Sequence, residues 1–144
     1  MALVAMTTML TAGCLPISQA DADHEAAIFA DGLLAPRLES ELGDLRGESP
    51  QRRVQAIHAW LTAPTADFAG SIPGTLWVAG APDGSTIPVA AYSLWSDTTF
   101  VNDERWGRVC REYDVGATLT WRDVACPKGT PREPPNDAVG GPPQ

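Results

Sequence analysis

RWGRVCREYDVGATLTWRDVAC, residues 105–126, holds two short runs in which apolar and polar side chains alternate, with Gly116 between them. Period-two alternation marks a strand with one buried face, because successive side chains point to opposite sides of a sheet. Val109, Arg111 and Tyr113 share one face of the first run, and Leu119 and Trp121 are expected to face the core from the second. The runs at 105–115 and 117–126 are not symmetric about Gly116, so a bulge or a longer turn is expected to absorb the offset. A pair of antiparallel strands here makes the carboxyl-terminal half β-rich, and that decides the fold class.

Upstream, TLWVAG (75–80) and IPVAAYSLW (87–95) flank APDGST, and this pattern predicts a second hairpin. Within the connection Pro82-Asp83-Gly84 is a turn signal with a mechanism: proline presets φ and glycine accepts a positive φ. Before Phe68 the periodicity is helical. Asp21 or Asp23 can cap a first helix from Asp23, with Ala26, Phe29 and Leu33 on one face, and Pro36 is expected to end it. Leu38, Leu42 and Leu45 form the stripe of a second helix that stops at Gly47. Ser49 caps a third with Pro50 in its first turn; Val54, Ile57, His58 and Leu61 form its stripe, Trp60 lies on its flank and Pro64 closes it. The expected fold is α+β: two or three amino-terminal helices packed on a small antiparallel sheet, in one domain spanning 23–126.

Eighteen acidic residues against ten basic ones give a net charge of −8, which argues against nucleic acid as a partner, since phosphate neutralisation needs clustered cations. Nine of those ten are arginine, and Ala, Gly and Pro are abundant, the usage of a GC-rich bacterial genome. After Cys126 the stretch PKGTPREPPNDAVGGPPQ (127–144) carries six prolines and almost no apolar residue, and is expected to be a disordered tail.

The amino terminus has a different character. Residues 2–10, ALVAMTTML, are uncharged and too few to cross a bilayer, which takes about 20 apolar residues, but they match the apolar core of a signal peptide. Ala12 and Gly13 then precede Cys14. Leu10 to Cys14 resembles the lipobox of bacterial lipoproteins. There a leader, here 1–13, ends in small residues before a cysteine that is diacylated and becomes the mature amino terminus. The stretch departs from that pattern at Thr11, where an aliphatic residue is usual, and in having no cation before the apolar run, which points to a start upstream of Met1. The resemblance implies a protein outside the cytoplasm, lipid-anchored to the bacterial cell membrane through Cys14, with 14–22 as a tether. Buried acyl methylenes at about 0.8 kcal/mol each would hold it there.

Export also bears on the other two cysteines. Lipidation accounts for Cys14, and an oxidising exterior lets Cys110 and Cys126 pair, tying the outer ends of the two strands around Gly116. Closing such a loop stabilises a thin-cored domain by about 3 kcal/mol. Neither cysteine has a CxxC or histidine-rich neighbour, so no metal or other cofactor is expected.

Catalytic signatures are sparse. His24 and His58 sit in no motif, and the sequence has no GxSxG, HExxH or SxxK and no glycine-rich phosphate loop. Asp97, Asn102, Asp103 and Glu104 offer oxygen donors but match no calcium loop. Of five tryptophans, Trp77, Trp95, Trp106 and Trp121 lie in the strand region, and Trp95, Trp106 and Trp121 are the candidate binding residues, since exposed aromatic rings grip protein partners or sugars. AIHAWLTAPT (56–65) followed by SIPGT is also similar, over a small part of the chain, to the helix and turn of GerMN-type modules in actinobacterial lipoproteins. Ala63 replaces their glycine and Ile72-Pro73 comes early; no activity is implied.

The functional expectation is a non-catalytic envelope lipoprotein that binds another envelope protein. One alternative is an envelope hydrolase or carbohydrate-acting enzyme pairing Asp103 with Glu104 or Glu112. The other is a structural lipoprotein without a ligand, which would not gather its tryptophans into one exposed patch.

Overall fold

The computed structural model describes residues 17–63, 74–97 and 103–138. The leader, Cys14, Ile72-Pro73, Asn102 and residues 139–144 lie outside them. The fold is α+β, with helices on one face of a four-stranded antiparallel sheet and one disulfide.

Helix α1 spans Gln19–Phe29, four residues earlier than the sequence predicts. Its start is fixed by a reciprocal capping box: the Ser18 hydroxyl accepts from the Asp21 amide at 3.1 Å, and the Asp21 carboxylate accepts from the Ser18 hydroxyl at 2.6 Å and from its amide at 3.3 Å. Asp21 therefore acts in the first turn and not as the cap. Those bonds hold its carboxyl below the ordinary carboxylate range. Ile17 is buried, so the segment from Ile17 to Ala22, expected to be tether, belongs to the body.

Pro36 does not end the helix. A π-turn at Ala30–Leu34 carries the chain straight into α2, Ala35–Asp44, with the Ala35 amide donating to the Ala30 carbonyl five residues back. Proline lacks an N–H and its ring crowds the carbonyl four residues earlier; the wider turn moves that carbonyl aside, and the missing bond falls where the ladder is already shifted. The π-turn also keeps one side inward. Ala22, Ala26, Ala30, Leu34, Leu38 and Leu42 are all buried at steps of four, a spacing that drifts off a straight α-helix of about 3.6 residues per turn. Helix α3, Pro50–Leu61, starts as expected: the Ser49 hydroxyl accepts from the Arg52 amide, and Val54, Ile57 and Leu61 are buried.

The strands β1 (Thr75–Val78), β2 (Thr86–Asp97), β3 (Asp103–Val115) and β4 (Leu119–Val124) form a meander in chain order. Asp83 and Thr86 exchange both backbone hydrogen bonds around Gly84-Ser85, where Gly84 has φ +60° and Ser85 does not have positive φ. That is a type II′ connection, whose twist suits a hairpin. Pro88 is tolerated because its carbonyl faces β1, accepting from the Ala79 amide just past the end of that strand, so its missing N–H costs no bond to β3. β3 and β4 pair from Val115↔Leu119 to Cys110↔Val124, and a connection over 116–118 absorbs the predicted offset.

One face of the sheet packs on the helices. Leu76, Ile87, Val89, Ala91, Tyr113, Val115 and Leu119 meet Phe29, Leu34, Leu38, Ile57 and Leu61 there. Each large side chain so buried contributes about 1.5–3 kcal/mol. Contact is closest at Gly107, where a Cβ would overlap the Ala22 carbonyl, so glycine is what lets α1 lie directly on β3.

The other face holds Ala90, Tyr92 and Cys110, with Trp77, Trp106, Val124 and Cys126 around them. Cys110 and Cys126 are bonded, with Cα atoms 5.1 Å apart. Because β3 begins at Asp103, the bridge does not tie strand ends as expected; it joins mid-β3 to the chain beyond β4. That chain is not loose over 127–138. The Tyr92 hydroxyl donates to the Pro131 carbonyl at 3.0 Å, and Arg108 Nη1 donates to the Thr130 and Pro131 carbonyls, both at 2.7 Å. Turns at Pro127–Thr130 and Pro135–Ala138 shape the rest. Backbone carbonyls, which a composition argument does not count, supply the adhesion.

Candidate functional site

Strand order and register place the sequence candidates. Cys110 is buried and Cys126 half-buried in their disulfide. Trp95 and Trp121 point to the helix face and Trp106 to the opposite one, as odd and even positions must. Trp95 opposes Arg105 and Trp121 opposes Tyr113, so eight residues of β3, about 26 Å, separate them. The three tryptophans do not form one patch. Trp121 is the exposed one at 39%, its ring tilted against Tyr113 with centroids 6.2 Å apart; Trp95 and Trp106 are half-buried.

The carboxylates are likewise apart. Asp103 and Glu104 are successive strand residues on opposite faces, and Glu112 is held by Arg122 in an ion pair across β3 and β4. Asp97 opposes Asp103 across the ends of β2 and β3. Among the described residues no group of three or more His, Cys, Asp and Glu could hold a metal, and no helix is long and apolar enough to cross a membrane. His24 is exposed on α1 and His58 half-buried on α3.

Two polar sites escape the sequence reading. The first surrounds Arg111, a cation at an inward strand position and only 4% exposed. Its Nη1 donates to Asp31 in the π-turn and its Nε to Asp123 on β4, both at 2.6 Å. Burial pulls the guanidinium pKa down, but the two carboxylates outweigh it and the net shift is upward. Next to it the Tyr113 hydroxyl is buried without a well-formed hydrogen bond. Desolvation pushes that phenol up to about 12, with the nearby Arg111 charge opposing. A charged residue between Val109 and Tyr113 is the available sign in the sequence; the partner from the π-turn is not foreseeable from spacing.

The second lies where α1, β3 and the 127–138 segment meet. β4 stops at Val124, so the Arg108 amide and the Trp106 carbonyl, which face the β4 side, have no strand beside them. Asp23 and Gln19 take that place: Asp23 Oδ1 accepts from the Arg108 amide at 2.9 Å, and Gln19 Nε2 donates to the Trp106 carbonyl at 3.0 Å and to Asp23 Oδ1 at 2.8 Å. Side chains of a helix thus finish a bare strand edge. Beside them is a polar cleft of about 280 Å³ lined by Gln19, Asp23, Arg108, Cys126 and Arg132.

The outer edge of β4 is a further surface, one of the two edges of the sheet. Since Arg122 faces β3, the backbone groups of Leu119, Trp121 and Asp123 point outward, and β4 ends the sheet.

No family model matches the chain, and no curated protein or solved structure is significantly similar to it.

Proposed function

We propose that this chain is an exported bacterial lipoprotein, anchored by acyl chains on Cys14, whose body is a non-catalytic module that binds another envelope protein. The observation that carries the export half is the Cys110–Cys126 disulfide, since such bonds persist in oxidising compartments. Two residues, Leu15 and Pro16, separate Cys14 from the buried Ile17, a spacing that suits a body carried close to the membrane surface. The tryptophans are separated and Trp121 alone is exposed, so as a group they speak for a lipoprotein without a ligand; the binding half rests instead on β4, a terminal strand that offers outward backbone groups beside Trp121, the combination used when an extended segment adds to a sheet edge.

Intact mass of the protein from its host reads the first half: loss of residues 1–13, gain of diacylglycerol and loss of two hydrogens at the disulfide are expected. An uncut leader with three reduced thiols overturns it. A photocrosslinker at Thr120, beside Trp121, is expected to capture a discrete envelope protein in intact cells, while one at Glu39 on the exposed side of α2 is not. Equal yields from both positions overturn the second half.

A further inference from the structure

We propose that the cleft between α1 and the 127–138 segment binds the headgroup of phosphatidylethanolamine, seating the body on the bilayer that holds it. The inference deepens the proposed function and rests on it for the nearness of a membrane.

Counting polar groups gives the ligand class. Arg132 is exposed and has no partner among the described residues; Arg108 is half-buried, and its Nε and Nη2 likewise have no partner among them. Asp23 spends Oδ1 on two donors and keeps Oδ2 free, and Gln19 keeps Oε1. The cleft lining therefore combines guanidinium donors from Arg108 and Arg132 with acceptor oxygens from Asp23 and Gln19. A phosphodiester suits the first, through charge-assisted hydrogen bonds, and a primary ammonium suits the second. A ligand carrying both charges also meets less repulsion from a chain of net charge −8 than an anion would. Arg108 binds the carbonyls of Thr130 and Pro131, and this holds the segment bearing Arg132 against β3 before any ligand arrives.

Position gives the source. Gln19 is five residues from Cys14, at most about 17 Å of extended chain, so an acylated Cys14 keeps the cleft wall within about that distance of the headgroup layer. Phosphatidylcholine, with no N–H on its cation, can satisfy the guanidinium donors but not Asp23 and Gln19.

The full chain carrying Cys14→Ser, which cannot be acylated, is floated with vesicles of phosphatidylcholine alone or mixed with phosphatidylethanolamine or phosphatidylglycerol. The apolar leader adds to every vesicle, so the differences between vesicles isolate the headgroup. Flotation is expected to be strongest with phosphatidylethanolamine and to fall about ten-fold in Arg132→Gln and in Asp23→Asn, each losing one charge-assisted bond. The carboxamide introduced by Asp23→Asn still offers an oxygen to the Arg108 amide, so the fold is kept. Soluble glycerophosphoethanolamine is expected to compete and to shift the Trp106 and Arg108 amide resonances. Equal flotation with all three vesicles, variants that bind like the parent, or soluble ligand bound without any vesicle preference would each overturn the site. Failure of the anchor is read separately, from the mass at Cys14.

Discussion

The two faces of the sheet are closed by different forces. On the helix face, Phe29, Leu34, Leu38, Ile57 and Leu61 cover Leu76, Ile87, Val89 and Tyr113, and adhesion comes from apolar area. On the outer face a small cluster around Tyr92 and Cys110 lies under residues 127–138, which bring little apolar surface and hold on through one disulfide and three hydrogen bonds to backbone carbonyls. A small domain can thus cover both faces of its sheet without a second core, provided a covalent bond fixes the cover in place.

If that division holds, damage to the helix face costs most. Phe29→Ala removes a fully buried ring that also packs against Gly74, and is expected to cost about 3–5 kcal/mol in denaturant unfolding. Gly107→Ala forces α1 off β3 and is expected to lower stability in the same experiment by about 3 kcal/mol. A loss under about 0.5 kcal/mol at both sites, the size of an ordinary surface change, would mean that the helices are not what holds the sheet.

Cys110→Ser with Cys126→Ser comes next, at about 3 kcal/mol. Its effect should be local as well as global: amide exchange is expected to speed up first over residues 127–138, with α2 and α3 still protected. Uniform loss of protection would show the two faces to be one cooperative unit.

How much of this is legible in the sequence follows the same line. The stripes Leu38, Leu42 and Val54, Ile57, Leu61 are readable because burial on that face obeys helical period, and the Ser49-Pro50 start because its cap is local. Passage through Pro36 is not, since it depends on a π-turn that no pattern encodes. The pairing of β2 with β3 is hidden because its register is set across a connection with no tight-turn signal and because β3 runs out through the charged residues Asp103, Glu104 and Arg105. Residues 127–138 read as loose because their adhesion lies in carbonyl groups that every sequence has. Arg111 can be flagged as an inward cation; Asp31 as its partner cannot.

Alkaline titration reaches a buried phenol on each face and has a smaller effect. The Tyr113 phenol, ordinarily near 10, is pushed up to about 12 in the folded protein, chiefly by desolvation. The folded state therefore binds that proton more tightly than the unfolded chain. Its contribution is complete below about pH 10 and is lost as pH rises from there through about 12, by about 2–3 kcal/mol. Urea midpoints are expected to fall across that window and to flatten in Tyr113→Phe; Tyr92, also raised by burial but partly offset by Arg108, should contribute to the same fall.

At neutral pH the same substitution on the two faces should part company in sign. The Tyr92 hydroxyl donates to Pro131, so Tyr92→Phe removes one of the three hydrogen bonds that hold the cover and is expected to cost about 1 kcal/mol. The Tyr113 hydroxyl is buried with no well-formed hydrogen bond, so Tyr113→Phe removes a desolvated group that gains little in return, and stability should stay level or rise slightly. The contrast tests the division directly, because both rings are fully buried and keep their apolar packing. Equal losses at both positions would mean that the Tyr113 hydroxyl has a partner, such as an ordered water, and that the helix face depends on polar bonds as the outer face does.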